Sequence, residues 1–213
     1  ILATVLSSIG GKTAGVATVE NAIVITGSPA EVVAAVVTAA TKVIATSAKP
    51  TISGTPSVSQ VNSIAAVTGV VTATVGDSAS NIASLTTAAT DVITITINDA
   101  AYDSVSNDVT VAATDLSGIG SDTTGTVTVS NAIKISGSLS ECVAALKTDA
   151  SKVTASTALV AVNDTPITSS DANVTALNDV ASATGGVVTA SFASSAIARL
   201  ASLTTASTDV ITL

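Results

Sequence analysis

Five aspartates have the residue type and spacing to hold a cation: Asp99, Asp103 and Asp108 cluster around Tyr102, and Asp164 and Asp171 flank a second turn-rich stretch. Calcium takes several hard oxygens, so turn aspartates are its candidate ligands. No EF-hand spacing and no Gly-Gly-x-Gly-x-Asp repeat accompanies them, and caps and turns account for aspartates at such positions equally well. The second candidate is a surface. Thr72/Thr74, Thr94/Thr96 and Thr126/Thr128 are Thr-x-Thr pairs that strand geometry would range on one open face, where regular ranks can order water or match an ice lattice. The ranks are interrupted, with Ser191 after Thr189 and Lys134 between Ile133 and Ile135, and Thr is in any case a good solvent-facing strand residue. General acid–base chemistry needs convergent titratable groups, whereas the carboxylates here recur at loop and cap positions. The expectation is therefore no catalytic residue and no cofactor, with calcium as the one candidate ion. Asn173-Val-Thr175 also fits a glycosylation acceptor.

The elements that would carry these residues are repeated. Ser84-Leu-Thr-Thr-Ala-Ala-Thr-Asp-Val-Ile-Thr94 returns almost unchanged as Ser202-Leu-Thr-Thr-Ala-Ser-Thr-Asp-Val-Ile-Thr212, a displacement of 118. Asn21-Ala-Ile-Val-Ile-Thr-Gly-Ser28 returns as Asn131-Ala-Ile-Lys-Ile-Ser-Gly-Ser138, a displacement of 110, which puts 8 extra residues in the second copy, between Val160 and Gly186. Tandem copies of this kind mark a structural unit. The blocks read as 1–97, an irregular acidic connector 98–124 holding a short helix and a long loop, and 125–213.

Strand-like runs fall at Val16–Thr26, Val43–Ile52, Val70–Val75, Val92–Ile97, Thr126–Ser136, Val153–Val162, Val187–Phe192 and Val210–Leu213, mostly separated by one helix-sized segment. Ser28-Pro-Ala-Glu31, Ser138-Leu-Ser-Glu141 and Ser57-Val-Ser-Gln60 fit the capping box, and Asp77 and Asp171 are placed to cap the helices after them. Apolar residues follow at helical spacing: Val32, Val33, Val36 and Val37; Val61 and Ile64; Ile82 and Leu85; Val143 and Leu146; Val174 and Leu177; Ile197 and Leu200. The strict alternation of Val71–Val75 and Ile93–Ile97 predicts a sheet buried on one face only. Direct strand-helix-strand order makes that sheet parallel. The expected fold is α/β, an elongated solenoid of strand-helix repeats with a one-sided parallel sheet; an all-β sandwich array is the alternative.

Composition agrees with a thin core. Aromatics are 1% of the 213 residues, with no Trp, Met or His, so the interior must be built from small and β-branched groups. Mean hydropathy is +0.68, yet every apolar run is soon broken, and the longest, Ala30–Ala40, is too short to span a bilayer. A net charge of −8 argues against binding nucleic acid or anionic membranes. Cys142, the single cysteine, stands where the other copy has Val32; with no His to activate it, it reads as a small buried hydrophobe.

The stretch Gly69-Val-Val-Thr-Ala-Thr-Val-Gly-Asp-Ser-Ala-Ser-Asn-Ile-Ala-Ser-Leu-Thr-Thr-Ala-Ala-Thr-Asp-Val-Ile-Thr-Ile-Thr-Ile-Asn-Asp99 resembles the Ala/Thr/Val-rich tandem tracts of very large surface or secreted proteins of marine bacteria and cyanobacteria, and of fibre-like virion proteins of their phages. The resemblance implies an extracellular, cell-surface or virion-borne structural role and transfers no catalytic residue. Both Ile1 and Leu213 fall inside a unit, so further repeats or neighbouring identical subunits are the expected partners. A calcium-stiffened adhesin repeat or a water-ordering Thr face is the rival expectation.

Overall fold

The structure, a computed structural model, describes residues 1–107 and 109–213, and the side chains of all of these except 195–197. It is mixed α/β, with seven α-helices among the described residues and parallel pairing between the strands, which rules out the all-β alternative. Two compact units divide the chain, Ile1–Thr96 with Asp122–Thr126, and Ile97–Ser121 with Val127–Leu213.

The first unit runs α1 (Ala3–Gly11), β1 (Ala17–Thr18), β2 (Val24–Gly27), α2 (Pro29–Val36), β3 (Val43–Ile44), β4 (Lys49–Ile52), α3 (Val58–Ala65), β5 (Thr72–Asp77), α4 (Ala79–Ile82) and β6 (Val92–Ile97). Its main strands lie in the order β6-β5-β4-β2, with Leu2 bridged to Thr26 beyond β2, while β1 and β3 form a separate pair. The second unit repeats the plan with β7 (Thr110–Ala112), α5 (Ala113–Ser121), β8 (Val127–Val129), β9 (Lys134–Gly137), α6 (Leu139–Leu146), β10 (Val153–Thr154), β11 (Leu159–Val162), α7 (Asp171–Ala183), β12 (Val188–Ser191) and β13 (Val210–Thr212). Its strands lie in the order β13-β12-β11-β9-β7, and β8 pairs with β10. Register is conserved between copies: Val24 faces Lys49 and Ile25 faces Pro50, as Lys134 faces Leu159 and Ile135 faces Val160.

Four predicted long strands are each two short ones. Tight turns, from Ile23 N–H to the Asn21 carbonyl (2.8 Å) and from Ala48 N–H to the Ala45 carbonyl (3.0 Å), break the extended run and send its halves to different ladders. The second copy turns at Asn131 and Ala155 in the same way. The stretch 98–124 holds the expected short helix as α5, the counterpart of α1, together with strand β7. The loop ahead of β7 is tied down locally. Asn131 Nδ2 donates to the Asp99 carbonyl (2.7 Å), Tyr102 N–H to the Ala132 carbonyl (2.9 Å), and the Lys134 ammonium sits 4.9 Å from the Tyr102 ring centre.

Helix starts follow sequence chemistry closely. Ser28, Ser57 and Ser138 form full capping boxes with Glu31, Gln60 and Glu141. At the starts of α4 and α7 the capping residue is Ser78 and not Asp77, and Ser170 and not Asp171. A serine hydroxyl reaches the third helical N–H from the extended position, while Asp77 accepts from Ser78 N–H and Asn81 Nδ2 (both 2.8 Å) and Asp171 is already helical.

The core is a layer of small aliphatic groups. In the first unit Val32, Ala35 and Val36 of α2 and Val58, Val61 and Ile64 of α3 are buried, as are alternate strand residues such as Ala73, Val75, Ile93 and Ile95; in the second, Val174, Leu177 and Val180 of α7 are buried. Ile82, Leu85 and Leu146 are buried as expected, whereas Val33, Val37, Val143 and Leu200 are half-buried and the Ile197 side chain lies outside the described residues. Strands β4, β6, β8 and β12 alternate buried and less buried residues, so each has one inward face. Cys142 is fully buried in the place that Val32 fills in α2. Among the described residues no helix is long and apolar enough to cross a membrane.

Candidate functional site

Three of the carboxylates proposed for calcium, Asp103, Asp164 and Asp171, each have protein partners of their own. Asp103 accepts from Val105 N–H (3.0 Å) and Ser106 Oγ (2.6 Å), closing a turn; these bonds, Ser106 foremost, hold its carboxyl below the ordinary value. Asp164 accepts from Leu139 N–H (2.6 Å) at the start of α6. Asp171 pairs with Arg199 at 2.7 Å. Asp99 is half-buried, its carbonyl taken by Asn131. Asp108 lies outside the described residues. No group of three or more His, Cys, Asp or Glu side chains placed to hold a metal occurs among the described residues.

The threonine face is partly realised. Thr74, Thr94, Thr126 and Thr128 are exposed, and Thr72 and Thr96 half-buried. Across the first unit Thr26, Thr51 and Thr72 stand side by side in register. The matching row of the second unit is Ser136, Ala161 and Thr189, so the rank does not recur.

What does recur is a set of polar clamps that hold one strand-helix turn to the next. Asn62 donates from Nδ2 to the Ser84 carbonyl (2.8 Å) and accepts at Oδ1 from Thr86 N–H (2.9 Å). Asn178 does the same with the Ser202 carbonyl (2.9 Å) and Thr204 N–H (2.8 Å). Asp91 accepts from Val71 N–H (2.7 Å) and Ala88 N–H (2.8 Å), and Asp209 from Val188 N–H (2.7 Å) and Ala206 N–H (2.7 Å). Each carboxylate satisfies two backbone donors that the ladder leaves unpaired at the strand entrance. The clamp pairs are also offset differently, by 116 from Asn62 to Asn178 and by 118 from Asp91 to Asp209. The longer α7 and the loop before it therefore absorb most of the insertion.

A third device seats a following segment on β6. Thr123 Oγ1 accepts from Ile93 N–H (2.7 Å) and from Gly125 N–H (2.9 Å), and faces the Asp91 and Ile93 carbonyls at 3.1 and 2.9 Å. Thr124 N–H donates to the Asp91 carbonyl (2.8 Å), Ile95 N–H to the Thr126 carbonyl (2.8 Å), and Thr87 Oγ1 to the Asp122 carbonyl (3.2 Å). A Cβ on Gly125 would lie 2.2 Å from the Ile93 carbonyl oxygen, so only glycine lets the segments approach this closely. Thr184 and Gly186 form a related clasp, the hydroxyl donating to the Ala158 carbonyl (2.5 Å) and accepting from Gly186 N–H (3.0 Å).

These clamp residues escaped the sequence reading. Asp91 and Asp209 sat inside the strongest repeated string, and their recurrence was the available signal. An open groove of about 550 Å³ in the second unit lies between α6 and α7, beside Asp164, Pro166 and Ile167. Its carboxylate is the one engaged by Leu139 N–H. No family model, curated protein or solved structure matches this chain.

Proposed function

We propose that the chain is a structural repeat segment, the shaft or spacer of an extracellular or virion-attached fibre or adhesin. In this reading it is an elongated α/β solenoid with a one-sided parallel sheet, working by reach and stiffness and without catalysis. The observation that carries the proposal is the recurrence of the clamps: Asn62 and Asn178, Asp91 and Asp209 make the same bonds in both copies, spending polar side chains on joining successive turns. A binding protein concentrates its distinctive polar groups in one place; here they recur along the chain.

Small-angle scattering of the purified chain, with electron microscopy of the native material, tests this. A thin rod is expected, and a compact, isolated particle would overturn it. The threonine row Thr26–Thr51–Thr72 gives a second reading, a water-ordering face, which freezing-hysteresis activity would support.

A further inference from the structure

Two surfaces, one in each unit, are the unoccupied halves of the clasp that is closed at β6. Resting on the repeat-shaft reading, we propose that the free edge of β13 receives the Thr13–Val19 segment of a second copy of this chain, head to tail, in the way that β6 receives Thr123–Thr126.

The acceptor half is already built. Asp209-Val-Ile-Thr212 repeats Asp91-Val-Ile-Thr94, and the Asp209 carboxylate holds Val188 and Ala206 N–H as Asp91 holds Val71 and Ala88. Among the described residues, strand β13 is the outer strand of its sheet and pairs with β12 alone. Ile93 and Ile95 are fully buried, while their counterparts Ile211 and Leu213 are half-buried and 65% exposed. Thr205, counterpart of Thr87, is also half-buried and holds the hydroxyl that would donate to the incoming carbonyl of Lys12.

The donor half carries the same signature. Thr13 and Gly15 correspond to Thr123 and Gly125 at the displacement of 110, and Gly15 N–H donates to Thr13 Oγ1 at 3.1 Å, the internal bond of the clasp. Among the described residues the Thr13 hydroxyl has no acceptor, whereas that of Thr123 faces two. Thr123, Gly125, Val127 and Val129 are all buried; Thr13, Gly15, Ala17 and Val19 are not. Ile9 of α1 is 49% exposed, against 3% for its counterpart Ile119. A Cβ on Gly15 would meet nothing nearer than Thr13 Oγ1 at 3.8 Å, so no close approach within the isolated chain requires glycine there; on β13 it would face the Ile211 carbonyl as Gly125 faces that of Ile93.

The differences between the donor segments do not spoil the match. Asp122 and Thr126 engage through backbone carbonyls, which Lys12 and Val16 also offer, and Ala14 lacks only the added Thr124 hydroxyl contact to the Asp91 carbonyl (3.0 Å). Such a contact is heterologous, since the donor segment and the acceptor edge are different surfaces, so each added copy brings a further donor and a further acceptor and assembly goes beyond a dimer. With −8 on each copy, association should strengthen as salt rises.

The test is sedimentation of the full chain from about 1 µM to about 1 mM, the span of weak to ordinary protein contacts. The wild type should form oligomers beyond a dimer. Gly15→Val, which has room in the isolated chain, should keep the wild-type melting temperature and lose association at least about a hundredfold, and Thr13→Val should lose about tenfold. Ile211→Pro removes the N–H that Thr13 would accept, at an edge where proline is tolerated, and should also stay monomeric. A mixture of Gly15→Val and Ile211→Pro, each keeping one intact half, should stop at a one-to-one dimer. A wild type that is monomeric throughout, a Gly15→Val chain that associates like wild type, or a mixture that forms no dimer would overturn the inference. A chain that scatters as a rod without associating would sink this docking and leave the shaft reading standing; a compact chain would sink the shaft reading itself.

Discussion

The edge at β6 and the edge at β13 share a sequence and a carboxylate clamp, and differ in what covers them. At β6 the segment Asp122–Thr126 closes over the strand, and Asp91 is 3% exposed; at β13 the same clamp around Asp209 is half-open. One local structure therefore carries two energetic weights. Identical hydrogen bonds matter more where water cannot replace them.

The largest test of that difference is at the glycines. Gly125→Ala drives a Cβ into the Ile93 carbonyl, a backbone group that cannot turn aside, and should cost about 3 kcal/mol. Gly15→Ala has open space and should lie within about 0.5 kcal/mol of wild type or stabilise slightly. Equal effects in denaturant melts would erase the distinction between covered and open edges.

Next come the clamps. Asp91→Ala leaves the buried Val71 N–H and the part-buried Ala88 N–H without their partner and should cost about 3 kcal/mol, while Asp209→Ala, where water can enter, should cost about 1 kcal/mol. Salt-promoted association of the chain should raise the cost at Asp209 toward that at Asp91, which melts at low and high protein concentration would reveal.

Smaller effects sharpen the correspondence of the copies. Cys142→Val places in α6 the residue that α2 already uses and should change stability by less than about 1 kcal/mol. Burial, with the charges of Glu141 and Asp164, raises the Cys142 thiol to about 11, so it should resist alkylation at pH 8 in the folded chain and react once denatured.

The smallest effect is at the α2 cap. Ser28 N–H and hydroxyl lower the Glu31 carboxyl below its ordinary 4.5. Its contribution is thus complete above that value and fades as pH falls through the lowered folded value. Glu31→Gln should flatten the acid limb of the stability curve slightly, and an unchanged limb would show that the carboxylate is immaterial.

Much of this molecule is local, and local chemistry is legible. The Ser-x-x-Glu and Ser-x-x-Gln boxes at Ser28, Ser57 and Ser138 formed as expected because their partners lie within four residues. The alternation of Ile93–Ile97 gave the buried face of β6, since strand period alone sets which side chains share a face. Displacement of matching strings located the copies, and the structure repeats register at that displacement.

What sequence alone misplaced was set by where each element begins and by what lies across it. Asp77 and Asp171 are good capping residues by type, yet Ser78 and Ser170 hold the extended position from which a hydroxyl reaches the third helical N–H. The run 98–124 holds the short helix expected in it, and only the fold shows that this helix, beginning at Ala113, buries Leu116 and Ile119. Thr13 and Thr123, Gly15 and Gly125 are the same residues at the same spacing. Only tertiary structure separates a closed clasp from an open one, because burial belongs to the segment that lies across a residue and not to the residue itself.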